Sequence, residues 1–323
     1  MTISNIQVTP LSDQIGVQIT GFDLETAAKD EDFAWYVKRL LAEHLVVLMP
    51  GQSNLKPATA QSFHSKFGDL IDIKRQGNDA LHVGTGDDVN FIKVISNGIG
   101  PNGRPLGDGN SSAQIWHSDT TPWEVPCSFI SFYCRETSPV KPKTGFLSMI
   151  EAYRTLPQAT KDGIMKLRAI HHNYSRQIEV KIAREGASLP LEERMMGFTH
   201  PLVRRHLPSN QPMLYLPTRR DSIIVGWNEK DSRNLLEELW THVEGCKAVI
   251  AHAMVPDDFL IWDNSATVHN REGWPEEDTR VMWHISAGGE VPTPFASQKG
   301  KNVAGMNVEE IKKVAKENVG AMA

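Results

Sequence analysis

Two short stretches far apart in the chain carry residue types suited to holding one metal ion. The first is Ile115-Trp116-His117-Ser118-Asp119. In an extended segment residues i and i+2 share a face, so His117 and Asp119 present an imidazole and a carboxylate side by side, able to fill two adjacent positions on a cation. The second is Trp262-Asp263-Asn264-Ser265-Ala266-Thr267-Val268-His269, whose terminal His269 follows a strand-like run and offers a third ligand. Two histidines and one carboxylate on one side of an ion leave the other positions open to substrate and oxygen, the arrangement of non-haem Fe(II) oxygenases. A structural zinc site closes all four positions instead.

With 12 histidines in the chain, a lone His-x-Asp recurs by chance. His242-Val243-Glu244 has the same local spacing but sits in a helical pattern, where i and i+2 diverge by about 200°. It forms no such clamp. A third stretch raises the weight of the first two. In Thr279-Arg280-Val281-Met282-Trp283-His284-Ile285-Ser286, strand alternation puts Arg280, Met282, His284 and Ser286 on one face and Val281, Trp283 and Ile285 on the other. An arginine on an otherwise apolar strand calls for an anion, and its planar fork suits a carboxylate. The alternative is a structural salt bridge.

The elements that must position these residues follow from periodicity and turn chemistry. Residues 6–21 alternate apolar and polar around Gly16 and predict two short strands. Phe33, Val37, Leu40 and Leu41 recur at helical spacing between Asp32 and Glu43, and a second helix is expected over 58–67, ending at Gly68. Leu45 to Met49 is a buried-strand run stopped by Pro50 and Gly51. Residues 98–112, rich in Gly, Pro, Asn and Ser, predict a loop immediately before His117, in a position suited to covering an active site. Strands are expected at 128–134, 259–262 and 279–286, helices at 149–154 and 235–243, and a peripheral helical tail at 303–323. No alternating strand-helix rhythm and no phosphate-binding glycine loop appear, which argues against a doubly wound sheet. A mainly β double-sheet core with helices packed outside fits better.

Composition excludes several classes. Hydrophobic residues make up 40% and charged residues 23%, values of an ordinary folded chain. A net charge of -5 without a basic cluster argues against nucleic acid. No apolar run approaches the ~20 residues a bilayer span requires, and the amino terminus reads as no leader, so a cytoplasmic protein with no membrane partner is expected. Three cysteines, Cys127, Cys134 and Cys246, match a reducing compartment and no zinc spacing.

Taken together, the ordered motifs resemble the taurine dioxygenase family, the branch of Fe(II)/2-oxoglutarate oxygenases that includes taurine and 2,4-D dioxygenases. The resemblance runs through Ile15-Gly16-Val17-Gln18-Ile19-Thr20-Gly21-Phe22-Asp23-Leu24, His44-Leu45-Val46-Val47-Leu48, Phe67-Gly68-Asp69-Leu70, Trp116-His117-Ser118-Asp119, Thr199-His200-Pro201-Leu202-Val203-Arg204, Met213-Leu214-Tyr215-Leu216, Trp262-Asp263-Asn264, His269 and Arg280. It implies a single jelly-roll (double-stranded β-helix, cupin-like) domain over 1–323, with residues 98–115 as its active-site loop. His117, Asp119 and His269 would bind Fe(II), and Arg280 would bind the distal carboxylate of the cosubstrate 2-oxoglutarate. Dioxygen would be consumed, succinate and CO2 released, and a small-molecule substrate oxidised, with hydroxylation the usual outcome. A homo-oligomer, dimer or tetramer, is common in the family.

The departures are specific. The family's Gly-Gly-x-Thr segment reads here as Thr144-Gly145-Phe146-Leu147-Ser148, which sets Leu147 at the threonine position and leaves Ser148 as the candidate substitute. Taurine enzymes carry a second arginine where this chain has His284, and local alignment sets Ile73 and Ala113 at their other two sulfonate-contact positions. Taurine is therefore not the expected substrate, and a small polar, carboxylate-bearing metabolite is. His284, Arg219 and Arg220 are the further substrate-contact candidates. Three other readings stay open at this point. One is a non-catalytic jelly-roll binding protein; a second is a 2-oxoglutarate oxygenase whose outcome is desaturation, bond cleavage or rearrangement in a biosynthetic pathway; the third is a zinc hydrolase on the same triad, for which the sequence offers no positioned general base.

Overall fold

The computed structural model describes residues 6–72, 91–171, 197–219 and 223–295. Ile73, Arg220 and the expected tail helix at 303–323 lie outside them.

The chain opens with the antiparallel pair β1 (Gln7–Pro10) and β2 (Val17–Thr20), then a short helix α1 (Leu24–Ala27). Helix α2 (Glu31–His44) starts where the Asp30 side chain accepts the Asp32 N–H and stops where Leu45 turns left-handed at φ 65°. Its inner face buries Phe33, Val37, Leu40 and Leu41, each contributing about 1.5–3 kcal/mol relative to exposure. β3 (Val46–Met49) is wholly buried, and α3 (Pro57–Ser65) follows with proline in its first turn.

The core strands come next: β4 (Lys93–Ser96), β5 (Gln114–His117), β6 (Phe129–Glu136) and β7 (Lys143–Ser148). After α4 (Met149–Thr155), α5 (Gln158–Ile164) and the short strands β8 (Arg168–Ile170), β9 (Thr199–Pro201), β10 (Val203–His206) and β11 (Gln211–Leu214), a long helix α6 (Glu229–Glu244) leads to β12 (Val249–Ala253), β13 (Phe259–Asp263), β14 (Thr267–Arg271) and β15 (Val281–Ala287). The seven-stranded sheet has the order β1-β2-β3-β13-β6-β15-β4 and the four-stranded sheet β12-β7-β14-β5. Chain-distant strands are thus neighbours in both sheets, the connectivity of a jelly roll.

The two sheets pack face to face through aromatic side chains. Trp262 of the large sheet meets Phe146 of the small one at 5.2 Å between ring centroids, with Phe132 at 5.0 Å on its other side. Strand alternation sorts the faces as expected. On β13, Leu260 and Trp262 enter the core between the sheets, whereas Phe259 and Ile261 join Phe33, Val37 and Phe63 under α2 and α3. On β15, Met282 points inward and Trp283 and Ile285 outward. Helix α6 begins earlier than the apolar spacing alone indicates, because Asn228 caps it by accepting the Asp231 N–H. Among the described residues no helix is long and apolar enough to cross a membrane.

Candidate metal centre

His117 ends β5, and register places it directly opposite His269 on β14, so the two imidazoles are cross-strand neighbours with centroids 4.2 Å apart. This pairing brings the late histidine to the early pair across a long stretch of sequence. Between Gln114 and His117 the strand bulges: β14 spends one intervening residue where β5 spends two. The bulge lets both Gln114 and His117 line the same cavity despite a spacing of three. Asp119 lies just past the strand, in a turn whose next residue, Thr120, takes φ +57°. The shared-face expectation therefore holds through a turn rather than a continued strand.

That turn is fastened by a buried side chain from the other end of the chain. Asn264 accepts the Asp119 backbone N–H at 3.0 Å and donates to the Asp119 and Cys127 carbonyls, each at 3.0 Å. Its neighbour Asp263, also buried, accepts the backbone N–H groups of Ser265 and Ala266 and is paired with His206 Nε2 at 2.8 Å, which shapes the tight connection into β14. Ser118 Oγ donates to the Thr267 carbonyl. The family-like Trp262-Asp263-Asn264 run thus works as a clamp between the two halves of the site.

The donor atoms converge. His117 Nε2 is 3.4 Å from Asp119 Oδ1, His269 Nε2 is 3.8 Å from the same oxygen, and one ligand atom of each of the three residues lies within 4.8 Å of the others. His117 Nδ1 donates to the Ile115 carbonyl at 2.7 Å, so Nε2 is the nitrogen turned to the site and becomes a ligand once it gives up its proton. Burial pushes the His269 pKa down to about 3, reinforced by the neighbouring His117, so its imidazole is neutral and able to ligate. Burial also opposes charge on His117, yet the hydrogen bond and charge of Asp119 outweigh it and raise its pKa. Burial likewise opposes ionisation of Asp119, but hydrogen bonds from His117 and His284 and the nearby His269 hold the carboxyl well below its ordinary value. The second oxygen, Oδ2, faces His284 Nε2 at 3.3 Å.

These groups form one wall of a cavity of about 390 Å³. Farther along it stand Thr144, Arg271 and Arg280, with Trp123, Phe132 and Thr218 among the other lining residues. Arg280, 2% exposed, has a fully buried Nη2 without a hydrogen-bond partner among the described residues, and the Thr144 hydroxyl is in the same condition. Burial lowers the Arg280 pKa to about 10, and among the described residues no carboxylate is paired with it. A buried guanidinium and a hydroxyl aimed into a metal-adjacent cavity fit a carboxylate-ended ligand chelated at the metal. The donor set and the orphaned polar atoms therefore fit both Fe(II) and 2-oxoglutarate.

The remaining sequence candidates are placed differently. Ser148 does not line the cavity: it caps α4, accepting the Glu151 N–H at 3.2 Å, and Thr144 is the hydroxyl that faces the site. The register explains the correction, since Thr144 pairs with Arg271 and Ser148 with Thr267 beyond the metal end. Arg219 turns away to the α6 surface, where Glu237 and Glu244 hold it at 2.9 and 2.7 Å. Ala113 is exposed and outside the cavity lining. Arg271, Asn264 and Thr144 went unassigned in the sequence; Arg271, two residues past His269 on a strand, was accessible to the same alternation argument.

The profile of the family described as "Taurine catabolism dioxygenase TauD, TfdA family" matches residues 7–286. An (S)-phenoxypropionate/alpha-ketoglutarate-dioxygenase of Delftia acidovorans is 27% identical, over 91% of this chain and 99% of its own. A pentalenolactone F synthase of Streptomyces arenae is 26% identical, over 88% and 94%. In structure, AAD-2 in complex with Mn(II) and N-oxalylglycine superposes with a TM-score of 0.68 at 23% identity, covering 91% of this chain and 100% of that one. A taurine dioxygenase from Burkholderia xenovorans gives 0.69 at 22% identity, covering 91% and 94%. The chain belongs to the TauD/TfdA family of Fe(II)- and 2-oxoglutarate-dependent dioxygenases.

Proposed function

We propose that this dioxygenase hydroxylates a small, polar, carboxylate-bearing metabolite other than taurine, with Fe(II) held by His117, Asp119 and His269 and the distal carboxylate of 2-oxoglutarate held by Arg280 and Thr144. The observation that carries the reading is the convergence of three donor atoms within 4.8 Å on the wall of a cavity that also holds an unpartnered buried arginine. Once bound, Fe(II) and 2-oxoglutarate would supply the oxidising power for dioxygen to oxidise a substrate C–H bond, with succinate and CO2 left from the cosubstrate.

The chain's own residues bind, orient and exclude water. His284 Nε2–H holds Asp119 Oδ2, which turns Oδ1 toward the two histidines and fixes the carboxylate's orientation. Trp123, Phe132 and Ile95 give the cavity apolar walls that keep a substrate close and water out. Against taurine stands the histidine where taurine enzymes carry a second arginine, together with the engagement of Arg219 by two glutamates. A relative named for (S)-phenoxypropionate, an organic carboxylate, supports the acid substrate class.

The test is succinate release and product mass with Fe(II), ascorbate, 2-oxoglutarate and a panel of small carboxylates, with taurine alongside. Expected is substrate-dependent succinate with a product that gains one oxygen atom. Turnover confined to taurine, or a product that only loses hydrogen, would overturn the respective part of the reading.

A further inference from the structure

Arg271 follows His269 by two residues on β14, so alternation aims it into the same cavity, and its side chain is 5% exposed. Cross-strand register sets it opposite Thr144. Its Nη2 donates to the carbonyls of Asn110 and Ser112, which fixes the plane of the fork, while its buried Nε has no partner among the described residues. The indole of Trp274 lies against both guanidiniums, with the Arg271 and Arg280 central carbons 4.5 and 5.4 Å from its centroid. No carboxylate among the described residues is paired with either arginine. Lys93, the further Lys or Arg among the described lining residues, is paired with Asp108 at 3.0 Å.

Two buried like charges sharing one cavity end repel, and burial without a counter-ion is costly for each. Such an arrangement is stable in the presence of an anion that both contact. We propose that Arg271 is a second cosubstrate-binding residue, gripping the distal carboxylate of 2-oxoglutarate together with Arg280. The inference rests on the reading of this cavity as the 2-oxoglutarate site.

The experiment compares two ligands on Mn(II)-loaded protein by calorimetric titration. 2-Oxoglutarate has the distal carboxylate; 2-oxopentanoate keeps the keto acid and lacks it. Arg271→Met is expected to weaken 2-oxoglutarate about tenfold to a hundredfold, the loss of one charge-assisted contact, and to leave 2-oxopentanoate within about twofold. Arg271→Lys, which keeps charge but not the fork, should fall between. Equal weakening of both ligands would assign Arg271 to holding the Asn110–Ser112 segment alone and overturn the proposal, as would no weakening of either. Failure of the wild-type protein to favour 2-oxoglutarate over 2-oxopentanoate would remove the cavity reading itself, an outcome distinct from the first two. Should Arg271→Met not fold, as read by circular dichroism, Arg271→Gln is titrated for the same ratio.

Discussion

Replacing Asn264 with alanine tests whether the turn carrying Asp119 is set from the far end of the chain. The side chain is 1% exposed and makes three hydrogen bonds at 3.0 Å, one from the Asp119 N–H and two to the Asp119 and Cys127 carbonyls. Each buried backbone group left unpartnered costs about 1–3 kcal/mol, and a water entering the vacated space recovers part of it, so a net destabilisation of about 2–4 kcal/mol is expected. Loss of a group that orients a ligand weakens metal binding by about tenfold to a hundredfold. Asn264→Asp is the sharper variant: it keeps the volume but turns a donor into an oxygen facing two carbonyls, close to the Asp119 charge. Metal affinity should fall at least as far as in the alanine variant. Urea unfolding reads the first quantity and Mn(II) titration the second, on the same preparations. A protein that loses stability yet binds Mn(II) with unchanged affinity would refute the reasoning, because Asn264 would then hold the fold without setting Asp119.

Other expectations follow from the same geometry. His117→Ala or His269→Ala should abolish binding of a labile divalent ion, since two ligands lack the geometry to retain one; retained Mn(II) binding in either variant would count against the triad. Arg280→Ala should raise the 2-oxoglutarate requirement about tenfold to a few hundredfold, from a charge-assisted pair worth ~1.5–3 kcal/mol, as read by the cosubstrate KM. Ser148→Ala should cost about 0.5–2 kcal/mol of stability through its lost cap and leave 2-oxoglutarate binding unchanged, whereas Thr144→Val should weaken that binding; the reverse pattern would restore the sequence assignment. Metal affinity should be flat above the His117 pKa and decline by about tenfold per unit once His117 protonates, because each bound ion then displaces one proton. Asp119 raises the His117 pKa above 6.5, so the decline begins above that value, while His269, pushed down to about 3, contributes no break in the range; onset at or below 6.5 in a calorimetric pH series would contradict the pairing.

Much of the site was readable from local pattern. Period-two alternation on the last strand separated Arg280, Met282 and His284 from Trp283 and Ile285, and the two faces fall on opposite sides of the large sheet. The helical context of His242-Val243-Glu244 removed a false ligand pair, and His242 indeed lies on α6, bonded to the Ala152 carbonyl. Reading a motif by its spacing failed at Ser148, because which hydroxyl meets the cavity depends on the β7–β14 register and not on position within a short run. Arg219 failed for a related reason: a charge near a pocket mouth goes to whichever partner its neighbours offer, and α6 offers two glutamates.

By itself the sequence determined which residue types were available for metal and anion binding, the alternation that aims them and the family to which the motifs point, because these depend on covalent spacing and local geometry. Tertiary structure alone decided that His117 faces His269, that Asn264 reaches back to hold Asp119, that His284 turns the carboxylate and that Arg271 shares the cavity end with Arg280. Each of those contacts joins residues brought together by sheet register or side-chain reach across the two-sheet core, and neither distance nor direction between distant strands is encoded in the spacing of letters along one of them.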